Sequence, residues 1–151
     1  MRLQGRHVVN ATMAVALACL PATAAALSRN YLCFFAADDA TPSARCQGVL
    51  AEFAAHWQRM AAGTEVPFYG DRTALPPVSH RIEVHGHDDK SNSQPKAHQI
   101  ALRRALAVAD EIVRLGVPPE FITVIGFDNA SPLVPTDQPE PQNRRVQLVL
   151  R

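Results

Sequence analysis

The segment that most constrains the fold is a short alternating stretch that ends in two carboxylates. In residues 80–87, apolar and polar side chains alternate with the period of a half-buried β-strand, and Asp88 and Asp89 follow directly. A predicted helix comes next, with Arg104 fifteen positions after Asp89. A strand that ends in carboxylates, followed by a helix that returns past that end, brings the acidic and basic side chains to one small pocket.

The remaining pattern predicts four strands and two helices in the order β-α-β-α-β-β. This order implies an α+β fold, a mixed sheet with helices packed on it. The other strands are predicted at residues 30–35, 121–125 and 146–150. Residues 64–79 contain three prolines and no period, which predicts a long loop.

Both predicted helices have one apolar face. Thr41 is the expected N-cap of the first helix, with Pro42 as its first residue and Gly63 at its end. Pro95 is the expected first residue of the second helix, which stops at Gly116. The apolar faces comprise Cys46, Leu50, Phe53, Trp57 and Met60 in the first helix, and Ala101, Ala105, Val108, Ile112 and Leu115 in the second.

Residues 1–26 have the pattern of an export signal, which leaves residues 27–151 as a single domain. Two arginines precede an apolar run that is too short to span a bilayer, and small residues around Ala24 offer cleavage sites. Cleavage removes two of the 15 basic residues and none of the 14 acidic ones, so the mature chain has a formal charge of −1. That balance argues against nucleic-acid binding. The expected location is therefore the periplasm, with no transmembrane segment in the mature chain.

Three cysteines allow two further predictions. Cys19 follows an Ala-Leu-Ala run that is similar to a lipidation site, so an outer-membrane lipoprotein is the alternative to a cleaved, soluble form. Cys33 and Cys46 remain in the mature chain, and an even number in an oxidising compartment favours a disulfide. Two ordinary buried thiols are the alternative.

Taken together, these motifs resemble the OmpA-like peptidoglycan-binding domain family. In that family GHTD ends a strand, and an RA pair in the next helix places its arginine fifteen positions after the aspartate. The corresponding letters here are GHDD in residues 86–89 and RA in residues 104–105. NRRV in residues 143–146 matches the family's segment before the last strand, and residues 126–132 match its GxGExxP turn in part.

The resemblance implies a binding function without a cofactor, a metal or a catalysed reaction. By position, Asp89 and Arg104 correspond to the residues that hold the diaminopimelate of a peptidoglycan stem peptide. An arginine fork suits a carboxylate, and an aspartate suits an ammonium group. Asn143 and Arg145 are expected to support the site. On the residues alone, the less favoured alternative is that Arg104 covers apolar surface with its stem.

Departures from the family pattern keep other functions open. Ala36, Asn92 and Ala97 stand where the family has aspartate, glycine and asparagine, and Asp88 replaces its threonine. These changes fit a degenerate domain that binds an envelope protein instead of peptidoglycan. His85 and His87, on one face of a strand beside two aspartates, raise a metal-binding alternative. An enzyme is disfavoured because the chain has no GxSxG motif.

Overall fold

The computed structural model describes residues 31–63 and 81–151. The elements are β1 (Tyr31–Phe34), α1 (Ala44–Ala61), β2 (Ile82–Gly86), α2 (Gln94–Arg114), β3 (Ile122–Gly126) and β4 (Arg145–Leu150), with short 3-10 turns at Pro119–Phe121 and Pro141–Asn143. The predicted order β-α-β-α-β-β and the α+β class are confirmed. The predicted export signal, Cys19 and the predicted loop at 64–79 lie outside the described residues.

The start of α1 differs from the sequence expectation. Ser43 is the N-cap, and its hydroxyl accepts a hydrogen bond from the backbone N–H of Cys46 at 3.3 Å. The prediction of Thr41 as N-cap and Pro42 as first helical residue is therefore wrong by two positions. The backbone N–H of Thr41 instead donates to the carboxylate of Asp39 at 2.8 Å, which makes a local turn before the helix.

The ends of both helices follow the glycine signals more closely. Gly63 and Gly116 come just after α1 and α2, with φ angles of 68° and 95°. Glycine tolerates these left-handed values because it has no Cβ. α2 begins one residue before Pro95, with Ser93 as its N-cap.

The four strands form one sheet in the order β1-β4-β2-β3. β2 and β3 run parallel, connected by α2, while β4 inserts antiparallel between β1 and β2. The carboxyl ends of β2 and β3 and the amino end of β4 therefore meet at one end of the sheet. The candidate site lies at this end.

Both helices bury their predicted apolar faces. All five residues of the first apolar face are buried. Four of the five residues of the second face are buried, and Leu115, which follows α2 directly, is partly buried. They pack with one face of the sheet, which contributes Cys33, Ile82, Val84, Val146 and Leu148 to the core. In the part of the chain that the structure describes, no helix is long and apolar enough to cross a membrane.

Gly86 sets the distance between the end of β2 and helix α2. A Cβ built on Gly86 would lie 2.0 Å from the backbone oxygen of Ala101 and 3.0 Å from the Cβ of Ala105. Only glycine permits so close an approach of backbone to backbone. The approach brings the residues that follow β2 against the helix that carries Arg104.

A disulfide joins β1 to α1, as predicted from the cysteine count. The sulfurs of Cys33 and Cys46 are 2.07 Å apart, and the Cα atoms are 4.9 Å apart. Both residues are buried. The bond therefore ties the first strand to the first helix inside the core.

Candidate functional site

Asp89 lies at the carboxyl end of β2 and is almost completely buried, with 1% of its surface exposed. One carboxylate oxygen accepts from Arg144 Nη1 at 2.7 Å and from the backbone N–H of Glu140 at 3.0 Å. The other accepts from the backbone N–H of Ser91 at 3.1 Å. Burial raises the pKa of Asp89, but the hydrogen bonds from Ser91 and Arg144 outweigh it and hold the pKa below its usual value.

Arg104 points from α2 toward the same end of β2 and is completely buried. Its Nη1 makes an ion pair with Asp88 Oδ1 at 2.8 Å, and both side chains have no exposed surface. Nη1 also donates to the backbone oxygen of His87 at 3.1 Å. The residue that replaces the family's threonine is thus the direct partner of the arginine.

Two further backbone oxygens complete the surroundings of Arg104. Nε donates to Asp39 at 2.8 Å and Nη2 to Ala36 at 3.0 Å, both in the segment between β1 and α1. The guanidinium also lies over the ring of Phe35, 5.5 Å from its centroid. Arg104 therefore does not cover surface with its stem, because its charged end is enclosed and hydrogen-bonded.

The structure brings Asp89 and Arg104 to one end of the sheet but pairs each with a different residue. Arg104 binds Asp88, and Asp89 binds Arg144. The sequence pattern predicts neither Arg144 nor Asp88 as a partner. For Arg144 the sequence offered the NRR motif as a signal, but not which of its residues points toward the carboxylates.

The side chain of Asn143 contacts the backbone of Val134 twice. Its amide accepts from the N–H of Val134 and donates to the oxygen of the same residue, each at 2.8 Å. This double contact holds the turn after β3, residues 127–140, beside β4. Asn143 is 1% exposed, so this contact lies inside the protein.

Arg145, the other predicted supporting residue, contacts the segment between β3 and β4. Its Nη2 donates to the backbone oxygen of Ser131 at 3.2 Å, while Nε and Nη1 have no hydrogen-bond partner among the described residues. Burial lowers its pKa. Arg145 and Asn143 thus both contact the turn after β3, at Ser131 and Val134 respectively.

His85 and His87 share the sheet face opposite the helices, as predicted from their spacing. The ring of Phe127 stacks on His87 at 5.2 Å and meets His85 edge-on at 4.8 Å. His85 also pairs with Glu83 at 2.8 Å. Within residues 31–63 and 81–151, no group of three or more His, Cys, Asp or Glu could hold a metal ion.

The three departures from the family pattern have distinct structural roles. Asn92 donates from its amide to Asp88 at 2.8 Å and contacts Asp38 at 3.3 Å. Ala36 supplies a backbone oxygen to Arg104, and Ala97 is buried in α2. Asn92 therefore adds a second polar contact to the carboxylate that neutralises Arg104.

Comparison with known proteins identifies the family. A sequence model of the OmpA family matches residues 74–145, which include β2, α2, β3 and the NRR motif. The chain carries an OmpA-like domain. The matched range ends at Arg145, so every residue of the two ion pairs lies within it.

Two individual relatives agree with this assignment. An outer membrane protein of Gluconacetobacter diazotrophicus is 35% identical over a 131-residue alignment, which covers 82% of this chain and 30% of that protein. The peptidoglycan-binding protein ArfA of Mycobacterium tuberculosis is 31% identical over a 72-residue alignment, which covers 46% of this chain and 22% of that protein. This chain therefore spans less than a third of the length of either relative.

The fold is similar to that of the peptidoglycan-associated lipoprotein from Burkholderia pseudomallei. The TM-score is 0.63 at 19% sequence identity, and the match covers 83% of this chain and 93% of that structure. At this identity the likeness concerns the fold alone.

Proposed function

We propose that this OmpA-like domain binds peptidoglycan non-covalently in the periplasm, through the diaminopimelate of the stem peptide, and catalyses no reaction. The observation that supports it best is the fixed position of Asp89 and Arg104 in neighbouring ion pairs at one end of the sheet. The names of the relatives support the same class of ligand.

The two side chains suit the two ends of an amino acid. Asp89 has a lowered pKa and keeps its charge at neutral pH, so it can accept from an ammonium group. Arg104 can donate to the carboxyl end. Asn143 and Arg145 hold the turn after β3, and thereby Glu140, whose N–H contacts Asp89.

The first test is sedimentation of the purified protein with isolated cell-wall sacculi, followed by calorimetry with a soluble muropeptide. A monomeric ligand avoids the avidity that a repeating wall provides. Arg104→Lys keeps the charge but not the fork geometry, and we expect it to weaken binding about tenfold or more. Arg103→Ala, on the exposed side of the same helix, should bind like the parent.

A second function is favoured by the internal pairing of both charges. A domain whose arginine and aspartate already have partners suits a protein-interaction module in the cell envelope. Parent protein that stays in the supernatant with sacculi and shows no heat with muropeptide would contradict the peptidoglycan proposal and favour this alternative. Folded Arg104→Lys that binds as tightly as the parent would contradict the assigned site.

A further inference from the structure

Asp88 places its own carboxylate directly against the guanidinium of Arg104. Its Oδ1 is 2.8 Å from Arg104 Nη1, and its Oδ2 accepts from Asn92 at 2.8 Å. Its own backbone N–H donates to Asp128 at 2.7 Å, which fixes the residue between β2 and the turn after β3. A buried residue held by three hydrogen bonds, two to its carboxylate and one from its backbone N–H, belongs to the permanent structure of the site.

Arg104 has little hydrogen-bonding capacity left for a second carboxylate. A guanidinium carries five N–H donors, and a bidentate carboxylate uses two of them in parallel. Four hydrogen bonds from Arg104 go to Asp88, His87, Asp39 and Ala36. One donor remains, on Nη2, next to the exposed residues 36–39. A ligand that reaches this nitrogen can offer one acceptor atom.

Charge adds to this geometric limit. Asp88 already neutralises Arg104, and Arg144 already neutralises Asp89. A ligand carboxylate would enter beside Asp88, where two like charges repel strongly because the surroundings are buried. A carboxamide has the same shape and offers a carbonyl acceptor without the negative charge.

We propose that Asp88 determines ligand specificity by serving as an internal carboxylate for Arg104. The site therefore takes a stem peptide whose diaminopimelate side-chain carboxyl is amidated in preference to one in which it is free. This inference rests on the proposed function and names the chemical form of its ligand. Asp89 remains the acceptor for the ammonium group in both forms.

The test compares two synthetic stem tripeptides by calorimetry, with the diaminopimelate side-chain carboxyl free or as the carboxamide. We expect the parent protein to bind the carboxamide more tightly. Asp88→Asn keeps the shape and removes the charge, so it should shift the ratio of the two Kd values about tenfold or more toward the free carboxylate. Asp137→Asn removes a carboxylate from an exposed position in the turn after β3 and should leave the ratio unchanged.

The outcomes separate this inference from the proposed function. A parent protein that prefers the free carboxylate, or an Asp88→Asn protein with an unchanged ratio, overturns the role of Asp88 while peptidoglycan binding stands. If Asp88→Asn binds the stem peptides and the parent does not, the role of Asp88 is supported and the proposed function is contradicted. If neither protein binds a stem peptide, the role of Asp88 and the proposed function are both contradicted. If Asp88→Asn does not fold, the same ratio of Kd values is measured for Asp88→Thr and compared with that of the parent.

Discussion

His87 is a buried residue whose charge state is set by what surrounds it. Its ring is 4% exposed, and neither ring nitrogen has a hydrogen-bond partner among the described residues. Burial, together with the charges of Arg145 and His85, lowers its pKa to about 4, while the charge of Asp128 opposes them. The uncharged ring of Phe127 covers one side. The folded protein therefore keeps His87 neutral well below pH 6.5.

This burial predicts a loss of stability in mild acid. The pKa of His87 is lower in the folded state than in the unfolded chain, so the unfolded chain binds the extra proton between about pH 6.5 and pH 4. Stability should fall over that range by about 3 kcal/mol. Urea unfolding at several pH values measures the loss.

His87→Gln is the control, since glutamine does not titrate. Its stability should fall less over the same range. Below that pH range, the parent should lose further stability as Asp89, whose pKa is lowered in the folded state, takes up a proton. Equal losses for the parent and His87→Gln between pH 6.5 and pH 4.5 would contradict the prediction.

At the level of residues, the sequence predicted positions better than partners. The fifteen-residue spacing placed Asp89 and Arg104 at one end of the sheet, because a strand and the next helix have fixed rises per residue. It did not predict that Arg104 binds Asp88 and Asp89 binds Arg144. Neighbouring residues at a strand end point to opposite sides, and which one meets the arginine depends on tertiary packing.

This pairing changes how the site must be tested. Asp88 stands where the family has threonine, so the resemblance alone would make it a suitable control for the site. Its removal would instead leave Arg104 buried without a counter-charge, which typically costs about 3–5 kcal/mol. Exposed Arg103 and Asp137 are therefore better controls.

Among the structural elements, β1 and α1 depend on the disulfide between Cys33 and Cys46. Closing a loop of this size stabilises the folded state by about 3 kcal/mol in the chain-entropy model. We expect a reducing agent to lower the free energy of unfolding of the parent by about this amount. The double variant Cys33→Ser/Cys46→Ser should be insensitive to the reductant. Two labelled thiols in unreduced, denatured protein would contradict the prediction.

The contact between β2 and α2 depends on Gly86. A methyl group there would meet the backbone oxygen of Ala101 at 2.0 Å, so strand and helix must separate. Gly86→Ala should therefore destabilise the protein by about 3 kcal/mol or more. Gly48→Ala is the matched control, because nothing lies within 4 Å of its added Cβ in α1 and alanine favours helix by about 0.5–1 kcal/mol. Equal denaturation midpoints for the parent and Gly86→Ala would contradict this role.

The order of elements was predictable because each has a clear hydrophobic period. The start of α1 was not, because Thr41 and Ser43 are both suitable capping residues. In the structure the backbone N–H of Thr41 donates to Asp39, and Ser43 caps the helix. The sheet order β1-β4-β2-β3 also needs tertiary information, since it inserts the last strand between the first two.

For the molecule as a whole, the proposed function requires export, because peptidoglycan lies outside the inner membrane. The sequence pattern of residues 1–26 predicts cleavage near Ala24 or Ala26, so we expect protein from the native envelope to begin at Ala25 or Leu27. Intact-mass analysis distinguishes these starts from each other. Retention of Cys19 with a lipid would add the mass of its acyl chains and would contradict the soluble form. A Cys19→Ala variant provides the control: the mature mass should be identical to that of the parent if Cys19 is removed with the leader, and a changed mass would assign the modification to this cysteine.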